Sequence, residues 1–554
     1  MSTSSDRTGA PGDYNHQETR DLVALVEAAA ARVAADGEAA FAALAVPSSR
    51  WRQDETYVFV LDPEGHMHVH PDSALAGHNT LALKDVQGKP IVGGLIRAAT
   101  AFPDRPAGWY HYQWPVPGGL LPRWKSSYVR QVQAPSGRTY IVGAGMYDDR
   151  MERAFVVDMV SDAVAALERG GESALAQLRE PAGPFMAKDA YVFVLDLQGQ
   201  ALVHPGFPTL EGRDLSSVQD TQGEYIVREM LARVAEEGAG WVDYLWPKPG
   251  ESASTQKSTY VAKAKLNGQW VLVGCGVYLA DAPKQAAPAP KISAAEVIAL
   301  VREAAAKLEA EGEAAYEELR RPGSKWFYDD VYVVVVTLDG IRVVLPPDPT
   351  GEGVDVRDLT DGLGRPYGRM ILDVARSEAG QGWTHYMFPL PGGLFPTWKS
   401  TFVQRVTFPS GQPHAIGCGI YNMQMDRAFV EDVVQRAASL IEAQGRAAFD
   451  ALRDPTGPFV FMDTYVFVQS PDGTELVNAG LPSLEGRNLL ALRDAHGRPV
   501  IREQIDAVMR AGAAWREMYW YKPGDNTPAR KLTYVRKVQA GPETFIVGSG
   551  IYSD

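Results

Sequence analysis

Four times the chain sets a tryptophan sixteen positions before a lysine: Trp109 and Lys125, Trp241 and Lys257, Trp383 and Lys399, Trp515 and Lys531. A glycine follows each tryptophan by nine positions (Gly118, Gly250, Gly392, Gly524), so the four hairpins align without a gap. A strand-like stretch returns in step, as TYVFVLD at Thr56, AYVFVLD at Ala190, VYVVVVT at Val331 and TYVFVQS at Thr464. Each of these has a tyrosine at its second position: Tyr57, Tyr191, Tyr332 or Tyr465. Repetition at this spacing decides the architecture before any single element does. A chain of 554 residues is also too long for one ordinary core.

A second layer of similarity lies inside the first. Repeats one and three share GW.HY..P.PGGL.P.WKS, whereas repeats two and four close the hairpin with KPG, as expected if a two-domain unit was duplicated whole. The Ala/Pro-rich run DAPKQAAPAPKIS reads as a linker between halves. The expected organisation is a disordered tail over 1–16, domains over 17–147 and 148–280, a linker over 281–292, and domains over 293–421 and 422–554. Within a half, a strand passes almost directly into a helix, which ties the two domains together.

Each repeat begins with an amphipathic helix, as at Val297, Leu300, Val301, Ala304 and Leu308. Two strands follow, then a loop closing on D-x-x-G (Asp85, Asp220, Asp361, Asp494), a short helix, and three antiparallel strands. The pattern predicts an α+β class: a five-stranded antiparallel sheet with a long helix on one face.

The net charge of −14 and the lack of a Lys/Arg block argue against a nucleic-acid or anionic-membrane partner. Neither a secretory leader nor about 18 consecutive apolar residues is seen, so no membrane segment and a cytoplasmic location are expected. Cys275 and Cys418 hold the place of Ala144 and Ser549 in other repeats and read as small buried side chains. No P-loop, G-x-S-x-G elbow or H-E-x-x-H occurs. An enzyme is therefore not expected, and neither is a cofactor.

The series YVFVLD…HP…G..L…D..G…W.DY.WP.PG….KS.YV…W.VG.G.Y resembles the single Cache domain, a PAS-like small-molecule sensor module of bacterial chemoreceptors and sensor kinases. The resemblance covers all four repeats. It implies four tandem PAS-like domains, each a curved sheet with a long N-terminal helix. It also implies a small ligand held between the sheet and the loop-helix segment, with acetate, propionate or pyruvate as the ligand type. A signalling protein would be the partner; a protein–protein scaffold with vestigial pockets is the alternative.

Strand alternation places Trp241, Asp243 and Leu245 on one face and Val242, Tyr244 and Trp246 on the other. A lysine among aromatic rings can present charge to an anion in a partly dry pocket; the other reading of Lys257 is a solvated, snorkelling side chain. Candidate ligand-binding residues are Tyr244, Trp246, Lys257, Tyr260 and His204 in repeat two. Repeat one offers Tyr112, Trp114, Lys125, Tyr128 and His70, and repeat three Tyr386 and Lys399. Repeat four has Met518 at the tyrosine position and Leu532 after the lysine, so weaker or no binding is expected there. The tryptophans read as packing anchors, the D-x-x-G aspartates as turn-formers, and Arg228, Arg369 and Arg502 as a solvated helix face. His66, His68 and His70 alternate on one strand, but repeat two keeps only His204, so a metal site is not expected.

Overall fold

The computed structural model describes residues 14–53, 55–103, 105–116, 120–147, 150–251, 253–279, 290–393, 395–422, 425–525 and 527–553. Most of the expected tail and linker, and Gly118, lie outside the described residues. The chain forms two compact units, one built from repeats one and two and the other from repeats three and four.

Repeat two shows the common plan. Its sheet runs in the order Ala239–Pro247, Ser254–Leu266, Gln269–Tyr278, Ala190–Asp196, with Ala201–Val203 on the far side of Ala190–Asp196. Every pairing is antiparallel. These are the five expected strands. A two-residue strand, Met186–Ala187, also pairs with the opening strand and was not read from the sequence. Two residues carry no detectable periodicity, which is why it escaped.

The helix Arg153–Gly170 covers one face of this sheet. Its buried stripe of Val156, Val160, Ala163 and Leu167 meets Val192, Val194, Val273, Cys275 and Val277 in one core. In repeat three the helix Ala294–Glu311 starts on a capping box: Ser293 accepts from the Glu296 N–H, and the Glu296 side chain returns to the Ser293 backbone. Val297, Val301, Ala304 and Leu308 are fully buried there, with Leu300 at the stripe's edge. Both cysteines are buried and unpaired. Tyr14, at the end of the expected tail, is buried and accepts a 3.0 Å hydrogen bond from Trp109 Nε1.

The D-x-x-G loop lies against the other face. Asp85 accepts from the N–H groups of Gln87 and Lys89 through one oxygen, which builds the turn. Its second oxygen accepts from Gln113 N at 3.0 Å, so the turn is fastened to the tryptophan strand. Asp220 does the same with Leu245 N and Asp361 with Met387 N. The residue after the glycine reaches into the next repeat of the same unit. Lys89 Nζ donates to Met186 O at 2.7 Å. Arg365 donates to the carbonyls of Pro455, Gly457 and Val460.

Candidate functional site

Directly paired residues of antiparallel strands share a face. The register pairs Lys257 with Tyr244 on one side and Tyr278 on the other, which puts all three on the face away from the long helix. The same register holds for Lys125 between Tyr112 and Tyr147, and for Lys399 between Tyr386 and Tyr421. In repeat four Lys531 stands between Met518 and Tyr552.

None of these lysines reaches solvent. Lys125, Lys257, Lys399 and Lys531 are 1%, 1%, 3% and 2% exposed. The solvated reading of Lys257 is thereby excluded. Each ammonium instead sits between two tyrosine rings, one from the opening strand and one from the closing strand. The Nζ-to-centroid distances are 3.8 and 4.9 Å for Lys125 with Tyr57 and Tyr147. They are 4.1 and 4.8 Å for Lys257 with Tyr191 and Tyr278. Lys399 lies 3.8 and 4.6 Å from Tyr332 and Tyr421, and Lys531 lies 4.2 and 4.7 Å from Tyr465 and Tyr552. Lys399 also donates to the Tyr332 hydroxyl at 2.6 Å.

Cation–π contacts replace only part of the hydration an ammonium loses on burial. Among the described residues none of the four lysines makes an ion pair with a carboxylate. Burial therefore pushes each of them down to about 7.

Two local devices hold the arrangement. The closing tyrosine reaches past the lysine to the hairpin: Tyr147, Tyr278 and Tyr421 donate to the carbonyls of Pro115, Pro247 and Pro389 at 2.9, 2.7 and 2.9 Å. Tyr552 donates likewise to Tyr521 O. Two residues before that tyrosine stands a glycine over which the lysine stem lies. A Cβ on Gly145, Gly276, Gly419 or Gly550 would come within 2.5, 2.6, 2.2 and 2.7 Å of the lysine Cε. Only a glycine leaves that room.

Several expected site residues do gather here. Tyr244 is buried and hydrogen-bonded to Thr259 Oγ1 at 2.9 Å, and its ring lies 5.7 Å from Trp246. Tyr112 bonds Ser127 Oγ at 2.9 Å and Tyr386 bonds Thr401 Oγ1 at 2.8 Å. His204 lies 5.3 Å from the Tyr191 ring and 6.2 Å from Trp246; His70 lies 5.1 Å from Tyr57 and 6.0 Å from Trp114.

Each histidine accepts a backbone N–H through Nδ1, from Phe207 at 3.1 Å and from Asp72 at 3.0 Å. Asn478 takes the same role through Oδ1 with Leu481 N at 2.8 Å. Burial and the neighbouring lysine drive His70 down to about 4 and His204 to about 3, so both are neutral at physiological pH.

Tyr260 and Tyr128 are corrected. They pair with Trp241 and Trp109 and stand on the helix face, opposite the lysines. Tyr128 donates to Glu27 Oε1 at 3.1 Å, and the Tyr260 ring packs 5.3 Å from Trp241. The cause is parity: Tyr260 is three positions from Lys257, an odd step along a strand, so the two cannot share a face.

The opening and closing tyrosines around each lysine, and the glycine under it, were not expected as site residues. Their fourfold recurrence, in YVFV (YVVV in repeat three) and in G-x-G-x-Y, is the available signal. Arg228 lies outside the site, donating to Ser216 O at 2.8 Å, and Arg369 pairs at 3.5 Å with the exposed Asp358. His66 and His68 both lean on Asp62, at 3.3 and 3.1 Å, rather than converging with His70. A shallow depression bounded by Lys291, Glu296, Met425 and Asp426 touches no buried lysine. A small cavity in repeat four does, and has Lys531 in its wall.

A family model described as Cache domain matches residues 42–152, 173–426 and 430–554. The methyl-accepting chemotaxis protein McpP of Pseudomonas putida is 39% identical over 93 residues, 17% of this chain and 17% of that protein. The sensor histidine kinase MctS of Rhizobium johnstonii is 35% identical over 102 residues, 18% of this chain and 22% of that protein. The chain thus spans about a fifth of the length of these curated relatives. Among solved structures, one titled for carboxylic acid recognition by a Cache chemosensory domain is 36% identical, covering 20% of this chain and 70% of that one at a TM-score of 0.18. A periplasmic sensor domain of a chemotaxis protein is 34% identical, covering 22% and 85% at a TM-score of 0.19.

These relatives overturn the cytoplasmic location expected from the sequence. They are a methyl-accepting chemotaxis protein and a sensor histidine kinase. Among the described residues no helix is long and apolar enough to cross a membrane. That fact assigns no compartment.

Proposed function

The chain belongs to the Cache domain family, and on that premise we propose that it senses small organic anions, with a carboxylate drawn to the buried lysine of a repeat. One observation carries this reading: an ammonium that is 1% exposed, clasped by two tyrosines, and without a carboxylate partner among the described residues. A buried charge is retained at a cost unless something pairs with it. An anionic ligand would supply that partner through a charge-assisted hydrogen bond.

In repeat two Lys257 provides the charge. Tyr191 and Tyr278 confine it, and Tyr244, Trp246 and His204 form the surrounding wall. His204, being neutral, adds no competing charge. Repeat one offers Lys125 with Tyr112, Trp114 and His70, and repeat three Lys399 with Tyr386. Acetate, propionate and pyruvate are the ligands put forward, and a chemotaxis or histidine-kinase signalling protein is the partner put forward. The four domain boundaries given above are part of the proposal. No chemical step is assigned to the site.

Calorimetry of the full chain with acetate, propionate, pyruvate and lactate tests the reading. Lys257→Met is expected to remove one class of binding sites. Binding that is unchanged in stoichiometry and affinity in Lys257→Met would refute the pocket assignment.

A further inference from the structure

Repeat four carries a carboxylate of its own on the lysine side of its sheet. At one pair of facing strand positions repeat one has Leu61 and Met67, repeat two Leu195 and Ala201, and repeat three Val336 and Arg342. Repeat four has Gln469 and Glu475, and Glu475 is 1% exposed. Its Oε2 accepts from Gln469 Nε2 at 2.7 Å and its Oε1 from Asn478 Nδ2 at 2.6 Å. Asn478 stands where repeats one and two have His70 and His204. Its amide keeps the histidines' bond to the backbone through Oδ1 and has Nδ2 left over for the carboxylate. Gln504 Nε2 donates to Gln469 Oε1 at 3.0 Å, which sets the orientation of that amide. Two amide donors, one of them fixed in turn, hold Glu475 in a single position.

Glu475 and Lys531 line the same cavity of about 20 Å³, without a direct ion pair among the described residues. Gln504 and Thr533 line it too, and Gln504 Oε1 and Thr533 Oγ1 are buried with no hydrogen-bond partner. In repeats one to three a tyrosine hydroxyl bonds the hydroxyl at Thr533's position, and here Met518 replaces that tyrosine. Native interiors leave few such groups unsatisfied. The cavity has room for a single water, and the ammonium, the carboxylate, the amide oxygen and the hydroxyl are the polar neighbours a buried water needs. Burial is the largest influence on both charges, pushing Glu475 up to about 7 and Lys531 down to about 7, and each draws the other back toward its charged form. The other carboxylate near Lys531, Asp463, is 38% exposed and pairs with Lys522 at 3.8 Å.

We propose that Glu475 is the resident counter-ion of Lys531, bridged to it by one water, so that the fourth repeat is occupied by its own side chain and takes no anion from solution. This rests on the reading of the other repeats as anion pockets and deepens it. The negative charge that a ligand brings to Lys125, Lys257 or Lys399 is built into the chain beside Lys531. Sensing then belongs to repeats one to three, and repeat four is held permanently in the paired state.

The test is to remove the resident carboxylate and offer it back. Glu475→Ala deletes a CH2–COO⁻ fragment, the atoms of acetate, and leaves the amide donors of Gln469 and Asn478 and the Lys531 ammonium around the space. Calorimetry of the full chain with acetate should show that Glu475→Ala gains a site the unaltered chain lacks. Adding Lys531→Met to Glu475→Ala should weaken that site about tenfold or more, as loss of a charge-assisted hydrogen bond does. Acetamide, neutral and of the same shape, should bind there more weakly than acetate. Lys531→Met alone should leave the number of acetate sites unchanged. The nearly isosteric Glu475→Gln keeps the test decisive if Glu475→Ala does not fold: by side-chain NMR its Lys531 should lose the proton at a lower pH than in the unaltered chain, and Lys257 should not move. The proposal is overturned if Lys531→Met removes an acetate site from the unaltered chain, if a folded Glu475→Ala gains none, or if Glu475→Gln leaves the Lys531 titration where it was. An unaltered chain that binds no acetate at all contradicts the anion reading of repeats one to three, while the site gained in Glu475→Ala still decides this one.

Discussion

Lys257 Nζ stands 4.1 Å above the centre of the Tyr191 ring, and the two residues lie 66 positions apart on strands that do not pair with each other. The closing strand between them supplies Gly276, and the missing side chain there opens the passage through which lysine meets tyrosine. A clasp of this kind, made by residues distant in sequence, has consequences that can be measured.

Stability should depend on pH through the lysines. Each is held near 7 in the folded protein, against an ordinary value of 10.5. Between those values the unfolded chain binds more protons, so stability rises with pH, at a limit of about 1.4 kcal/mol per pH unit for each lysine. Below about 7 both states carry the proton and the full penalty of the buried charge remains. Denaturant unfolding from pH 6 to 9 should show a shallower rise for Lys257→Met than for the unaltered chain.

Filling the glycine passage should dislodge the lysine. A Cβ at Gly276 would meet Lys257 Cε at 2.6 Å and Thr259 Oγ1 at 2.3 Å. Gly276→Ala is expected to destabilise the protein by about 1–3 kcal/mol, as overpacked interiors do, and to abolish anion binding in repeat two. Thermal unfolding and calorimetry on the same preparation check both.

The two faces of the lysine strand should behave differently. Tyr191→Phe removes a hydroxyl beside the ammonium and is expected to weaken anion binding severalfold. Tyr260→Phe changes the helix face and should leave the affinity within twofold. Equal effects from the two variants would contradict the face assignment.

The contacts between repeats of one unit should be structural. Arg365 is 3% exposed and serves three carbonyls of the following repeat, whereas Lys89 serves one. Buried acceptors left without a donor cost about 1–3 kcal/mol each. Arg365→Met is therefore expected to lower the unfolding free energy more than Lys89→Met, and denaturant titration of the two variants makes the comparison.

Much of this was legible in the sequence. Repetition revealed the modules, and period-two alternation placed Tyr244 and Trp246 together. The same alternation, carried from Lys257 to Tyr260, separates those residues, yet aromatic character drew Tyr260 and Tyr128 into the expected site. The clasp itself could not be read from spacing, because the partners of Lys257 on the opening and closing strands depend on which strands become neighbours. The polar chamber of repeat four was equally hidden. Gln469, Glu475 and Gln504 look like surface residues in a linear reading; the sheet register turns the first two inward, and the helix Val500–Ala511 buries the third. Compartment is not legible in the sequence, because the lack of a visible apolar segment assigns none.

The central claim is that the buried lysines receive an anion, and side-chain NMR titration of the lysine ammonium groups tests it most directly. Without ligand, the clasped lysines should titrate near 7. Saturating propionate favours the charged form and should raise Lys257 by a unit or more. A Lys257 that titrates near 10.5 without ligand, or one that propionate does not move, would contradict the account.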